Sequence, residues 1–104
     1  MSTNKLLRGL KPLHPGELLR EDVLPAMGLA KAEIARRLGV SRQTLYDIID
    51  EKKPITPAMA LRIGKFCGNG PELWLNLQKT FDLWQAEREI GAQVAKIHTY
   101  HAAT

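Results

Sequence analysis

Between residues 29 and 49 the chain holds Ala35, Gly39 and Leu45 at intervals that leave few backbones to choose from. Apolar residues recur at helical spacing on both sides, with Ile34, Ala35 and Leu38 before and Leu45, Ile48 and Ile49 after, so both flanks read as short helices. Where two short helices meet across a tight turn, the first needs a small residue at the crossing, and Ala35 is that residue. Gly39 takes the left-handed conformation that ends a helix at little cost. Leu45 then anchors the second helix, Ser41 is a good N-cap for it, and Val40 adds apolar cover. Sterically, this is what a helix-turn-helix requires.

Three more helices surround that pair. His14-Pro15-Gly16 starts one, because proline is tolerated in a first turn. Leu18, Leu19, Val23 and Leu24 continue it until Pro25 closes the segment. Glu51-Lys52-Lys53-Pro54 is a charged loop. Thr56-Pro57 then opens a helix filled by Ala60, Leu61, Ile63 and Phe66, which Gly68-Asn69-Gly70-Pro71 breaks. A last long helix starts near Glu72, with Leu73, Leu77, Phe81 and Trp84 in one stripe that Trp74 and Leu75 widen. The pattern fades after Gly91, and no alternating run indicates a strand. The expected architecture is all-α, with five helices. Its parts are a basic arm over 1–13, a helix-turn-helix domain over 14–91 that ends in a dimerisation helix, and a tail over 92–104.

A chain of 104 residues supports one small core and leaves little mass for a deep enzyme cleft. Its single cysteine, Cys67, excludes an internal disulfide and a cysteine-based zinc finger. Cys67 lies on an apolar helix without a base or an oxyanion turn, so it reads as structural. His98 and His101 are neighbours at helical spacing but lack a third ligand. Gly68-Asn69-Gly70-Pro71 follows a helix and lacks the lysine of a phosphate-cradling loop. No catalytic residue, metal or cofactor is assigned, and a small hydrolase or metal-dependent enzyme has no constellation here. No apolar run suits a signal peptide, and none approaches the roughly 20 residues of a membrane helix, so the expected setting is soluble, reducing and cytoplasmic. The formal charge is +4. Lys5, Arg8 and Lys11 put +3 of it before residue 15, where no acid occurs, and the remainder of the chain is nearly neutral. A basic arm fits a nucleic-acid partner without proving one.

The helix pair resembles the helix-turn-helix family of phage repressors and Cro-like regulators, which implies a lambda-repressor-like domain. The segments His14-Pro15-Gly16-Glu17-Leu18-Leu19-Arg20-Glu21, Lys52-Lys53-Pro54-Ile55-Thr56 and Pro71-Glu72-Leu73-Trp74-Leu75-Asn76-Leu77-Gln78 resemble the HigA/VapI antitoxin branch, over about Leu13 to Arg88. The resemblance implies an antitoxin that represses its own operon and neutralises a HigB-like toxin, an RNase of the RelE class. One departure stands out. Many members carry Ser or Thr and then Gln where this chain has Ala30 and Lys31, so the usual cap of the first motif helix is missing. The glutamine commonly contacts phosphate in relatives, a role left here to the plain charge of Lys31.

Geometry assigns the other roles. A recognition helix presents its first turn to the major groove, which makes Arg42, Gln43 and Thr44 the base readers, flanked by Tyr46 and Asp47. Arginine pairs with guanine and glutamine with adenine. Lys31, Ser41, Lys52 and Lys53 sit at helix starts or in the loop beyond, where phosphate contacts are expected; Lys52 and Lys53 also fit a merely solvated loop. Arg36 and Arg37 read as a solvated helix face or as DNA contacts, and Glu17 and Glu21 as ordinary surface charge or a meeting point for a basic toxin. One helix-turn-helix reads few base pairs, so a homodimer on a palindromic double-stranded operator is expected, with Trp74, Leu75, Phe81 and Trp84 as its interface, in a stripe that is also partly core. A stand-alone repressor without a toxin shares every DNA-binding residue, and only a partner protein separates the two readings.

Overall fold

A computed structural model describes residues 10–102. They form five helices, with no strand among the described residues. We name them α1 (residues 15–27), α2 (Lys31–Leu38), α3 (Arg42–Ile49), α4 (Pro57–Cys67) and α5 (Pro71–Val94). The expected arm lies outside the described residues over 1–9, as does the end of the expected tail at 103–104.

Local chemistry sets most of the helix ends. Ser41 Oγ accepts the Thr44 N–H at 3.0 Å, and Thr56 Oγ1 accepts that of Met59 at 3.2 Å. Both are side-chain caps that satisfy an otherwise orphaned first-turn donor. At α2 the N-cap is Ala30 and no side chain caps the helix, as the missing hydroxyl implies. Gly39, at φ 75°, closes α2 while the Val40 N–H reaches back to the Ala35 carbonyl at 3.0 Å, the closure typical of a left-handed helix end.

Pro25 does not close α1. The helix begins as an α turn over Pro15–Leu18, widens to a π-helical stretch over Leu19–Val23 and returns to an α turn over Leu24–Met27. Within the wide stretch the Leu24 N–H bonds back to the Leu19 carbonyl. Pro25 then falls at the start of the next turn, where its missing donor is not needed. The helix ends at Gly28, with φ 67°. α5 likewise runs three residues past Gly91, to Val94.

One core joins the elements: Leu19 and Leu24 from α1, Ile34, Ala35 and Leu38 from α2, Leu45, Ile48 and Ile49 from α3, with Ile55, Met59, Ala60, Ile63 and Trp74. Gly16 lets the start of α1 lie directly on the end of α3, since a Cβ there would run into the Ile48 carbonyl oxygen. The α2–α3 pair is thus gripped from α1 and α4, leaving the first turn of α3 at the surface.

Candidate nucleic-acid interface

The expected base readers share one short helix but not one environment. Arg42 and Gln43 are exposed in the first turn of α3, and Tyr46, one turn later, is 41% exposed. Thr44 is half-buried, and its Oγ1 accepts from Ser41 Oγ at 2.9 Å. Asp47 is mostly covered. Its Oδ1 accepts from Gln43 Nε2 at 2.8 Å, and its Oδ2 lies 3.7 Å from Lys53 Nζ.

Among the expected phosphate residues, Lys31, Ser41, Lys52 and Lys53 are all exposed, Lys31 at the start of α2 and Ser41 at the cap of α3. Lys52 and Lys53 follow α3 in a tight loop: both of their N–H groups donate to the Asp47 carbonyl, at 2.8 and 3.0 Å. Glu51 makes that turn at φ 62°. Arg36 and Arg37 are both tied to Glu33 on α2. Glu33 accepts from Arg36 Nε and Nη2 and from Arg37 Nε. These hydrogen bonds, Arg36 first and then Arg37, hold the Glu33 carboxyl down to about 2.

Sequence reasoning missed two arginines that position the motif. Arg20, on α1, donates through Nη1 to the Ile49 carbonyl at 2.5 Å and pairs with Glu51 at 3.3 Å, closing the carboxyl end of α3. Arg62, on α4, donates through Nη1 to the Leu38 carbonyl at 2.8 Å, at the end of α2. Cations are favoured at helix carboxyl ends, but both donors come from more than twenty residues away. No local pattern marks them.

The expected dimer residues divide. Trp74 is 0% exposed and its Nε1 donates to Asn69 Oδ1 at 3.1 Å, so it belongs to the core of one chain rather than to a contact surface. Leu75 packs against that core from the side. Phe81 and Trp84 are half-buried and turn toward the N-terminal segment: the Phe81 ring meets His14 edge-on at 4.7 Å, and Trp84 tilts against Phe81 at 5.8 Å. Beyond Leu73 near its start, the open apolar residues of α5 are Leu83, Ile90 and Val94 in its second half. They share a stripe with Ala86 at helical spacing, the signal that the aromatic stripe obscured. Cys67 is half-buried and burial pushes its thiol up, the reverse of an activated nucleophile. Among the described residues no group of side chains could hold a metal ion, and no helix is long and apolar enough to cross a membrane.

Residues 26–56, which take in α2, α3 and the lysine loop, match the CENP-B N-terminal DNA-binding domain. Virulence-associated protein I of Dichelobacter nodosus is 40% identical over 77 residues, 74% of this chain and 71% of the relative. Antitoxin HigA-1 of Vibrio cholerae is 35% identical over 74 residues, 71% of this chain and 70% of the relative. The chain belongs to the HigA antitoxin family. A solved structure of that family, Pseudomonas aeruginosa antitoxin HigA with higBA promoter, superimposes with a TM-score of 0.81 at 35% identity, covering 86% of this chain and 99% of that one. The all-helical HigA fold therefore extends well beyond the helix pair.

Proposed function

We propose that this chain is a dimeric repressor that binds operator DNA, represses its own operon and serves as the antitoxin of a HigB-like, RelE-class RNase toxin. The observation that carries the DNA-binding part is the exposed first turn of α3. Arg42 and Gln43 are exposed there behind the Ser41 cap, and Lys31, Lys52 and Lys53 are exposed at the start of α2 and in the loop after α3. Arginine and glutamine are the side chains that reach guanine and adenine edges, while lysines and helix starts suit phosphate. HigA relatives support the antitoxin role, and a HigA relative solved with promoter DNA supports DNA binding.

The proposed dimer face lies on the outer stripe of α5, where Leu83, Ala86, Ile90 and Val94 are lined up beside Leu75. Phe81 and Trp84 lie on the side of α5 that meets His14. A homodimer joined there would present two copies of α3, as a palindromic operator with half-sites about 34–36 Å apart requires. Co-expression with the toxin-like reading frame beside its gene tests the antitoxin role. A co-purifying complex and restored growth are expected. Absence of a complex, with binding to its own promoter intact, would leave a repressor alone.

A further inference from the structure

Asp47 stands one turn beyond Gln43 on α3, and its side chain is only 15% exposed. Through that side chain it accepts the 2.8 Å hydrogen bond from Gln43 Nε2. Through its carbonyl it accepts the N–H groups of Lys52 and Lys53. One residue therefore ties a candidate base reader to the loop that carries two candidate phosphate contacts.

An ionised carboxylate only accepts hydrogen bonds, so the end of the Gln43 amide that faces it is Nε2 and never Oε1. The amide loses its freedom to turn over. After that bond is made, Gln43 retains Oε1 and one N–H, an acceptor and a donor side by side. Adenine offers the complement in the major groove, with N6 donating and N7 accepting, whereas guanine offers two acceptors. An amide that turned freely would donate to guanine O6 or thymine O4 as well. We infer that Asp47 is a positioning residue for sequence readout: it fixes the Gln43 amide in the orientation that reads adenine and touches no base itself. The inference rests on the base-reading role proposed above for the first turn of α3.

Selection of bound duplexes from a pool of randomised sequence tests it, with wild type, Gln43→Ala, Arg42→Ala, Asp47→Asn and Asp47→Ala in parallel. Gln43→Ala identifies the base pair that Gln43 reads, as the position whose preference it loses. Asp47→Asn keeps the shape but can donate as well as accept, so it no longer dictates the amide's orientation; Asp47→Ala removes the contact. Both should cut the adenine preference at that position by about tenfold, within what one bidentate contact supplies, and admit guanine there. The position lost in Arg42→Ala should stay as in wild type. Removing an anion from a DNA-binding face changes affinity for every sequence alike, so the readout is the preference at one position, which a purely structural role would not single out. An unchanged adenine preference in Asp47→Ala, or a loss spread evenly over all positions, would overturn the inference. A wild-type chain that selects no sequence would overturn the DNA-reading role beneath it, a failure visible before any Asp47 variant is compared.

Discussion

At the head of α1 the Gly16 N–H donates to His14 Nδ1 at 2.9 Å, a bond that exists only while that nitrogen is unprotonated. His14 is 4% exposed. Burial lowers its pKa below 6.5, against the opposing pull of Glu51, Asp82 and Glu17, while Lys11 assists. Because the unfolded chain then binds the proton more readily, this contribution to stability is complete above pH 6.5 and declines as pH falls below it toward the folded-state value. His14→Asn keeps a cap acceptor without the titration. Its thermal midpoint should fall less than that of wild type below pH 6.5, and equal slopes would contradict the role given to His14. Gly16→Ala should cost about 1–3 kcal/mol in urea unfolding, since an added methyl meets backbone that cannot turn aside. At this scale the sequence exposed the core, because Ile34, Leu38, Leu45 and Ile48 follow a helical period. It left Trp74 shared between core and dimer contact and did not expose Asp47 as a holder of Gln43, since both roles depend on what else is near.

Helix ends with a local cause were legible: Ser41 and Thr56 cap as hydroxyl residues do, and Gly39 stops α2. Pro25 misled because a π-helical stretch, which no residue of Leu19–Val23 announces, moves it into a tolerated position. Arg20 and Arg62 were illegible for another reason, being close to α3 and α2 only in space. The bare start of α2 makes a prediction. Ala30 already has the extended conformation of a cap residue, φ −65° and ψ 147°, so Ala30→Ser should stabilise the chain by about 1 kcal/mol. A higher urea midpoint with an unchanged slope is the expected result.

α5 governs the whole molecule. Its first half closes the core, with Trp74 inside and Gln78 Oε1 accepting the Ile55 N–H at 2.8 Å; its second half carries the apolar stripe outward, and the molecule measures 58 × 28 × 26 Å. The long helix was legible in the sequence, but its outer apolar stripe was not, because Phe81 and Trp84 drew attention to the side that meets His14. Ile90, 46% exposed, stands in the middle of the stripe. Ile90→Asp should give monomers in sedimentation and weaken operator binding while leaving the fold intact by circular dichroism. A dimer that persists would move the interface elsewhere. The central claim is that the first turn of α3 reads base sequence. The direct test is an anisotropy titration of wild type and Arg42→Ala against the DNA upstream of the gene and a shuffled duplex, over a salt series. Wild type should prefer its own upstream DNA by roughly a thousandfold or more. Arg42→Ala should give up about 1–3 kcal/mol of that preference. Equal affinity of wild type for both duplexes, or an unchanged preference in Arg42→Ala, would contradict the account.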